Sequence, residues 1–180
     1  IWLAEHEGPS GFNKELVIKR IRPHFAADEQ FTTMFLDEAR LAAQLSHPKI
    51  AQIYELGEVD NSYFIAMEYV HGPDLLRVLT EATRQRQRIP TDIVLSIVSE
   101  VCKGLAHAHQ ATDANGQPLR IIHRDVSPSN VILSYEGDVK LMDFGVARAD
   151  IEQTRRRRHP RGERDAHSGP RAWLDGSFRI

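Results

Sequence analysis

Cysteine is nearly absent from this sequence, and so are long apolar runs and an excess of one charge. The only cysteine among the 180 residues is Cys102, which excludes an internal disulfide and favours a reducing compartment such as the cytoplasm. The longest apolar stretch, residues 93 to 108, is broken by Ser, Glu and Lys. A membrane span needs about 20 mostly apolar residues, so this stretch predicts an amphipathic helix. The net charge of −2 does not indicate a nucleic-acid-binding chain.

The composition that is present is globular, with 41% hydrophobic and 27% charged residues. A chain of 180 residues can form one domain with a substantial core. It begins "IWLAEHEG", without Met or a signal-peptide pattern, and apparently inside a strand. We therefore expect the chain to be a fragment of a longer protein.

Hydrophobic periodicity and turn residues divide the chain into strands and helices. Together they predict an α+β fold with two subregions hinged near residues 70 to 74. The helix at 91–110 is expected to have Thr91 or Asp92 as its N-cap. The predicted elements are strands at 15–21, 50–59, 62–70, 131–134 and 139–142, and helices at 28–45, from 74 through the 80s, and at 91–110.

Five polar residues are candidates for a catalytic or metal-binding role, although two of them could equally be surface charges. Lys19 lies in an apolar strand and Glu38 on the next helix, and alone each is more often a solvated surface charge. Asp125, in "HRDVSPSN", could accept a proton from an attacking hydroxyl. Asn130 in that stretch and Asp143 in "MDFG" supply the hard oxygen ligands that Mg²⁺ prefers.

The order and context of these residues resemble the protein kinase superfamily, in particular bacterial Ser/Thr (eukaryotic-like) kinases. The matching stretches are "VIK", "LDEARLAAQLSHPKI", the hinge-like "FIAMEYVHGPDL", "HRDVSPSN" and "MDFG". The resemblance implies a partial, β-rich N-lobe over residues 1–70 and the upper part of a helical C-lobe over 71–149. The protein would then be a kinase domain truncated at both ends.

The resemblance also implies the ligands and their contacts. ATP and Mg²⁺ would be the cofactors, with Lys19 on the α and β phosphates and Glu38 holding that lysine. Asp125 would be the catalytic base. Asn130 and Asp143 would hold the metal.

The same resemblance implies an adenine and ribose site. The matched residues are Met67 at the back of the adenine pocket, Glu68 to Val70 offering backbone hydrogen bonds to the base, Asp74 near the ribose, Val17 and Ile132 sandwiching the base, and Ile1 and Ala4 at the end of the glycine-rich strand pair.

Three departures from the family pattern are visible. The glycine-rich loop over the phosphates would lie upstream of Ile1, and no "APE" follows the "DFG". Without the remaining C-lobe helices, we expect the helix at 91–110 to expose apolar surface. Ser127 stands where Ser/Thr kinases usually carry a lysine, although it could simply start a turn with Pro128.

Residues 150 to 180 differ in character from the rest, being rich in Arg, Gly and Pro and without periodicity. Composition predicts disorder here, and an Arg-rich patch for nucleic acid is the alternative. We favour a truncated or out-of-frame C-terminus. Translation of the source DNA in its other two frames should then reveal an "APE"-like continuation, and its absence from both would contradict this.

The predicted function is transfer of the γ-phosphoryl of ATP to a Ser or Thr hydroxyl of a protein substrate that the sequence does not identify. Tyrosine specificity is less expected, because the catalytic loop lacks the Ala-Arg pair usual in tyrosine kinases. The rival hypothesis is a nucleotide-binding or interaction remnant without catalysis. Neither hypothesis requires a nucleic-acid partner or a membrane segment in this chain.

Overall fold

The structure, a computed structural model, describes residues 1–9, 12–21, 28–60, 62–144, 173–174 and 178–179. It has the predicted α+β architecture, with an antiparallel sheet followed by helices and a short hairpin. The elements are β1 (Trp2–Glu7), β2 (Asn13–Arg20), α1 (Glu29–Ala43), β3 (Ile53–Val59), β4 (Ser62–Glu68), α2 (Leu75–Arg84), α3 (Thr91–Gln110), a 3₁₀ turn (Pro128–Asn130), β5 (Val131–Leu133), β6 (Val139–Leu141), β7 (Trp173–Leu174) and β8 (Phe178–Arg179).

The large sheet has the order β3-β4-β2-β1-β8-β7, and strand β2 lies near its centre. Side chains alternate between the two faces of a strand, and β2 follows this rule. Leu16 and Ile18 are buried in one apolar cluster with Phe64. Val17 packs instead against the cluster on the α1 side, so Lys19, two residues on, points the same way.

Helix α1 covers one face of the sheet with an apolar stripe at helical spacing. Phe31, Phe35 and Ala39 are buried against Ile65 and Met67 of β4. The helix begins next to Asp28, whose carboxylate accepts a hydrogen bond from the Phe31 N–H at 3.1 Å. The sequence prediction for this helix was therefore correct within two residues at each end.

The hinge leads into two helices that begin differently. Asp74 caps α2, because its Oδ1 accepts a hydrogen bond from the Arg77 N–H at 2.7 Å. Helix α3 spans the predicted residues, but its predicted N-cap was wrong. Pro90 occupies the N-cap without a side-chain cap, and its extended backbone (φ −56°, ψ 140°) lets the helix start directly at Thr91.

A second core joins the end of α1, helix α3 and the β5–β6 hairpin. Leu141 in β6 is fully buried there, and its carbonyl accepts a hydrogen bond from the Ala51 N–H at 3.0 Å. The Lys49 ammonium adds ion pairs to Glu100 (3.0 Å) and Asp138 (3.3 Å), and the hydrogen bond to Glu100 is the main cause of its raised pKa. The loop after α1 therefore ties the two subregions together.

Helix α3 exposes apolar side chains, as the sequence analysis predicted. Ile93, Val94, Leu95 and Val98 are exposed, and Leu95 keeps 63% of its accessible surface. Only Ile97, Gly104 and Ala108 of this helix are fully buried. A face of this kind is usually covered by further protein.

The C-terminal region departs from the predicted disorder at four residues. Strands β7 and β8 pair with each other, and β8 pairs with β1 through His6 and Phe178. Residues 145 to 172 lie outside the described part of the chain. Among the described helices, none is both long and apolar enough to cross a membrane.

Gly72 allows the hinge to approach the β5 strand closely, and we predict that Gly72→Ala lowers the free energy of unfolding by about 1–3 kcal/mol. A Cβ at this position would lie 2.0 Å from the Leu133 carbonyl oxygen, so the backbone would have to move. Urea unfolding followed by circular dichroism measures the change.

The matched control is Gly116→Ala, at a loop position where a Cβ meets nothing within 4 Å but φ is +78°. It should cost only about 1 kcal/mol, from backbone strain. Equal losses in the two variants would show that close packing at Gly72 is unimportant.

Candidate active site

The loop before the 3₁₀ turn is held in place by a buried histidine. His123 is 1% exposed, and its Nε2 lies 2.8 Å from the Met142 carbonyl oxygen. Its Nδ1 accepts a hydrogen bond from the Asp125 N–H at 3.3 Å. The ring also packs on Phe144, with 4.6 Å between centroids. His123 therefore joins the catalytic-loop candidate to the segment that carries "DFG".

The hydrogen bonds of His123 fix its protonation state. A carbonyl can only accept, so Nε2 carries a proton, and Nδ1 must be unprotonated to accept from Asp125. Burial lowers the pKa of His123, while the Met142 carbonyl and the carboxylates of Asp125 and Asp143 oppose that change. The ring is thus held in its neutral form.

The β5–β6 hairpin brings together the two predicted metal ligands. Asn130 immediately precedes β5 and Asp143 follows β6 by two residues, so both lie at the same end of the hairpin. The Met142 N–H donates to the Asn130 carbonyl at 2.8 Å. The Asn130 side-chain Nδ2 donates to the Asp125 carbonyl at 2.9 Å. One hydrogen-bonded unit therefore positions Asp125, Asn130 and Asp143.

Lys19 reaches this unit from the sheet. Its Nζ forms an ion pair with Asp143 Oδ1 at 2.7 Å, and both side chains are about three-quarters buried (23% and 27% exposed). Glu38, the predicted partner of Lys19, belongs to α1, but its side chain lies outside the described residues. The Lys19–Glu38 contact remains a prediction, and the observed partner of Lys19 is Asp143.

The donor set fits Mg²⁺ bound together with phosphates. Within the described ranges, no cluster of three or more His, Cys, Asp and Glu residues could hold a metal by itself. Mg²⁺ is usually bound by one or two carboxylates plus substrate phosphates, and not by a complete protein cage. Asp143 already attracts one cation, the Lys19 ammonium. The residues present are therefore compatible with the predicted metal.

Two residues of the site have strained backbones. Arg124 has φ 61° and Asp143 has φ 55°, in the left-handed region that costs a non-glycine residue roughly 1–2 kcal/mol. Such strain is concentrated at functional sites, where the surrounding contacts hold it in place. Sequence reasoning missed it, because neither residue type signals left-handed geometry by itself.

The residues predicted to enclose adenine lie on adjacent strands. Val17 of β2 is directly opposite Met67 of β4, and Met67 is buried. The Glu68 N–H already donates to the Gln52 carbonyl at 2.8 Å. Among Glu68 to Val70, adenine hydrogen bonds would therefore come from the Glu68 carbonyl and from the following two residues.

The remaining nucleotide-site predictions fall on both sides of the hinge. Asp74 and Ile132 form an isolated antiparallel bridge, so the structure brings them together. Ala4 is buried opposite Leu16, while Ile1 lies just before β1 and is 76% exposed. Each of these residues is placed by the fold, and their contacts with a nucleotide remain predictions.

Sequence reasoning also missed an ion pair beside the hinge. Lys140 of β6 lies 2.6 Å from Glu68 Oε1, and both side chains are mostly buried. Glu68 Oε2 accepts from the Gln52 N–H at 3.1 Å. In β6, Lys140 lies between two buried residues, so its side chain points to the opposite face of the strand. No local sequence signal identifies Glu68 as its partner.

Ser127, the residue in place of the usual lysine, forms a short polar contact within its own loop. Its Oγ lies 2.9 Å from the Ser129 Oγ. Its carbonyl accepts from the Asn130 N–H at 2.9 Å, which closes the 3₁₀ turn that begins at Pro128. Both contacts are those expected of a residue that starts a turn, which is the structural explanation of Ser127.

Comparisons with known proteins agree with the fold and identify its family. The family model of the protein kinase domain matches residues 10–165, and the chain belongs to this family. It is 47% identical over 150 residues to the tyrosine-protein kinase MasK of Myxococcus xanthus, covering 83% of this chain and 23% of that protein. It is 36% identical over 137 residues to the serine/threonine-protein kinase PrkC of Bacillus subtilis, covering 76% of this chain and 19% of PrkC.

Solved kinase domains have the same architecture. The kinase domain of PknI from Mycobacterium tuberculosis superposes with a TM-score of 0.64 at 36% identity, covering 81% of this chain and 54% of that one. The chain therefore spans about half of a solved kinase domain and less than a quarter of MasK and PrkC. Members of this family generally use ATP and Mg²⁺.

His123 should make stability depend on pH. Its folded-state pKa is lowered, so the unfolded chain binds a proton more readily. Stability is therefore complete above the unfolded pKa near 6.5 and is lost as pH falls from there through the folded pKa. We predict that His123→Phe flattens the plot of unfolding free energy against pH between 7.5 and 5.5, by up to about 1.4 kcal/mol per pH unit.

Urea unfolding at several pH values measures this slope. The variant should also be less stable at pH 7.5 by about 1–3 kcal/mol, because the buried Met142 carbonyl loses its donor. His109→Phe, the same exchange at an exposed position of α3, is the matched control. An equal loss of slope in that control would contradict the assignment to His123.

Proposed function

We propose that this chain supplies the nucleotide-binding and catalytic core of a bacterial protein kinase that phosphorylates Ser or Thr residues of a protein substrate. The observation that carries the proposal is the convergence of Lys19, Asp125, Asn130 and Asp143 on one end of the β5–β6 hairpin. Ser/Thr specificity is supported by relatives such as PrkC. The polar residues converge although they come from three separated parts of the sequence.

The proposed chemistry assigns one task to each residue. Asp125 accepts the proton of the attacking hydroxyl as the new P–O bond forms, while the bond from the γ-phosphorus to the bridging oxygen breaks and ADP leaves. Asn130 and Asp143 offer oxygen ligands to Mg²⁺, which when bound neutralises charge on the phosphates. Lys19 carries the positive charge that orients the α and β phosphates, and Glu38 on α1 would hold it in that position.

The proposed ATP site lies between the sheet and the hinge. Val17 and Ile132 would enclose the adenine ring, with Met67 behind it. The backbone after Glu68 would bind the base edge, because the Glu68 N–H is already occupied. Asp74 would approach the ribose and Ile1 the open side of the base, in keeping with their positions beside Ile132 and before β1.

Tyrosine is the second candidate acceptor. It is favoured by the 47% identity to MasK, whose name records tyrosine kinase activity. Ser127 adds to this alternative, since the loop lacks the lysine usual in Ser/Thr kinases. A nucleotide-binding or interaction remnant without catalysis is the third candidate.

We also propose a cytoplasmic location, which the single cysteine of the sequence, Cys102, supports only weakly.

Replacement of the proposed base tests catalysis. We expect Asp125→Asn to lower the rate of phosphoryl transfer from ATP by about 10²–10⁴-fold, because general-base catalysis is lost. The assay uses ATP, Mg²⁺ and a generic protein substrate. It compares the chain itself with a chimaera in which the kinase domain of PknI supplies the part that this chain does not span.

The chimaera is needed because the chain spans about half of a solved kinase domain, and the chain alone is expected to show little activity. Asp138→Asn, at a carboxylate in the β5–β6 turn outside the proposed site, is the matched control. A chimaera that binds ATP but transfers no phosphate would favour the non-catalytic remnant.

Phosphoamino-acid analysis of the products tests the acceptor. We predict that phosphoserine and phosphothreonine exceed phosphotyrosine by about tenfold or more, a discrimination of about 1.4 kcal/mol between transition states. Ser127→Lys, which supplies the missing cation, should increase the Ser/Thr products without changing the preference. Predominant phosphotyrosine would instead establish the specificity named for MasK.

A further inference from the structure

A groove lies beside helix α2, on the side of the hinge away from the sheet. It has a volume of about 470 Å³, and its lining includes Arg77, Val78, Ala82, Arg88, Ile89 and Tyr135. Binding sites for organic ligands commonly have volumes of about 300–1,000 Å³. The proposed ATP and metal residues do not line this groove, so the site described above leaves it without a role.

The backbone at the end of α2 gives the groove its second wall. The Gln87 N–H donates to the Ala82 carbonyl at 2.8 Å, and the Arg86 N–H donates to the Thr83 carbonyl at 3.0 Å. These two bonds and the left-handed φ of 55° at Arg86 form a Schellman motif, which ends the helix and reverses the chain. The reversal places Ile89 and its neighbours opposite α2, so the groove is set by hydrogen bonds.

The rim of the groove is positively charged. The charged residues that line the groove are Arg77, Arg88 and Glu81, a net charge of 2 − 1 = +1 in a chain whose total is −2. Glu81 is already engaged, since Arg84 contacts it at 2.6 and 2.8 Å, and this contact is the main cause of its lowered pKa. Arg77 and Arg88 form no ion pair with any described residue and are exposed.

The floor and inner wall are apolar. Val78, Ala82 and Ile89 are half-buried there, which leaves them partly accessible to a ligand. A nucleic-acid backbone would use the arginines but not these apolar side chains. A peptide with acidic and apolar residues would use both. The Arg-rich C-terminal segment of this chain has the same sign of charge as the rim and is therefore an unsuitable occupant.

We propose that the α2 groove, defined by the six residues named above, binds an acidic peptide segment with apolar anchor residues, supplied by the protein substrate. Helix α2 packs on the 3₁₀ turn Pro128–Asn130, and Asp74 at its start bridges to Ile132. A segment held in the groove is thus attached next to the catalytic loop. This assignment of the occupant rests on the proposed kinase function, and it identifies how the substrate is selected.

Binding of synthetic peptides to the 180-residue chain tests the proposal. The probe is a fluorescein-labelled peptide of Glu-Glu-Leu repeats, followed by fluorescence anisotropy in the absence of ATP. We expect the double variant Arg77→Glu/Arg88→Glu to weaken binding about tenfold or more by reversing the rim charge. Ala82→Phe, which fills the groove without changing charge, should weaken it to a similar extent.

The matched control is Arg40→Glu, the same charge reversal at an exposed position of α1, which should change affinity less than about twofold. Thermal unfolding of each variant checks that the fold is retained. Equal loss in Arg40→Glu, or no loss in Ala82→Phe, would overturn the proposal. The proposal would also be overturned if Lys-Lys-Leu repeats, polyglutamate or oligothymidylate bound as tightly as the Glu-Glu-Leu probe. Failure of the probe itself to bind would overturn it as well.

The readout needs no phosphoryl transfer, so failure of peptide binding is distinguishable from failure of the proposed kinase activity. In the active chimaera, the rim variants should raise KM for a substrate carrying the acidic segment and leave kcat unchanged. A substrate without that segment should be unaffected. An equal effect on both substrates would contradict the groove's role in substrate selection.

Discussion

The buried hydrogen bond between His123 and the Met142 carbonyl joins the two segments that carry the proposed catalytic residues. It links the backbone before Asp125 to the residue before Asp143, and the Asn130 amide completes the connection through the Asp125 carbonyl. These bonds lie at the end of a hairpin whose interior is buried. These contacts over-determine the local backbone, so the left-handed conformations of Arg124 and Asp143 can persist.

Two further contacts attach this unit to the rest of the molecule. Lys140 and Glu68 connect β6 to the hinge strand, and Lys49 connects the loop after α1 to α3 and to the β5–β6 turn. Together with Lys19, they make the sheet, the hinge and the hairpin meet at the residues of the proposed nucleotide site. The Lys140–Glu68 pair is mostly buried, while Asp138 is 55% exposed, so we expect these pairs to orient the parts more than to add stability.

Periodicity and turn residues act locally and were enough to predict most strands and helices, whereas the site residues were identified by the resemblance to a family. The turn "YEGD" between two short strands predicted a hairpin, and a hairpin brings the residues that flank it, Asn130 and Asp143, to the same end. By contrast, the Pro90 N-cap, the left-handed Arg124 and the Lys140–Glu68 pair depend on tertiary contacts that no local pattern encodes. The sheet pairing of residues 178–179 was missed for the same reason.

Lys19 and an incoming metal cation would compete for the same carboxylate, that of Asp143. A cation arriving at Asp143 competes with an ammonium that is already 2.7 Å away, so its apparent affinity is reduced by the population in which that pair is open. Each 1.4 kcal/mol by which the ion pair favours its closed form would lower the apparent affinity of Asp143 for the cation tenfold. Phosphates that attract Lys19 would lift this competition, so nucleotide and metal would bind with positive cooperativity although they need not touch the same protein atom.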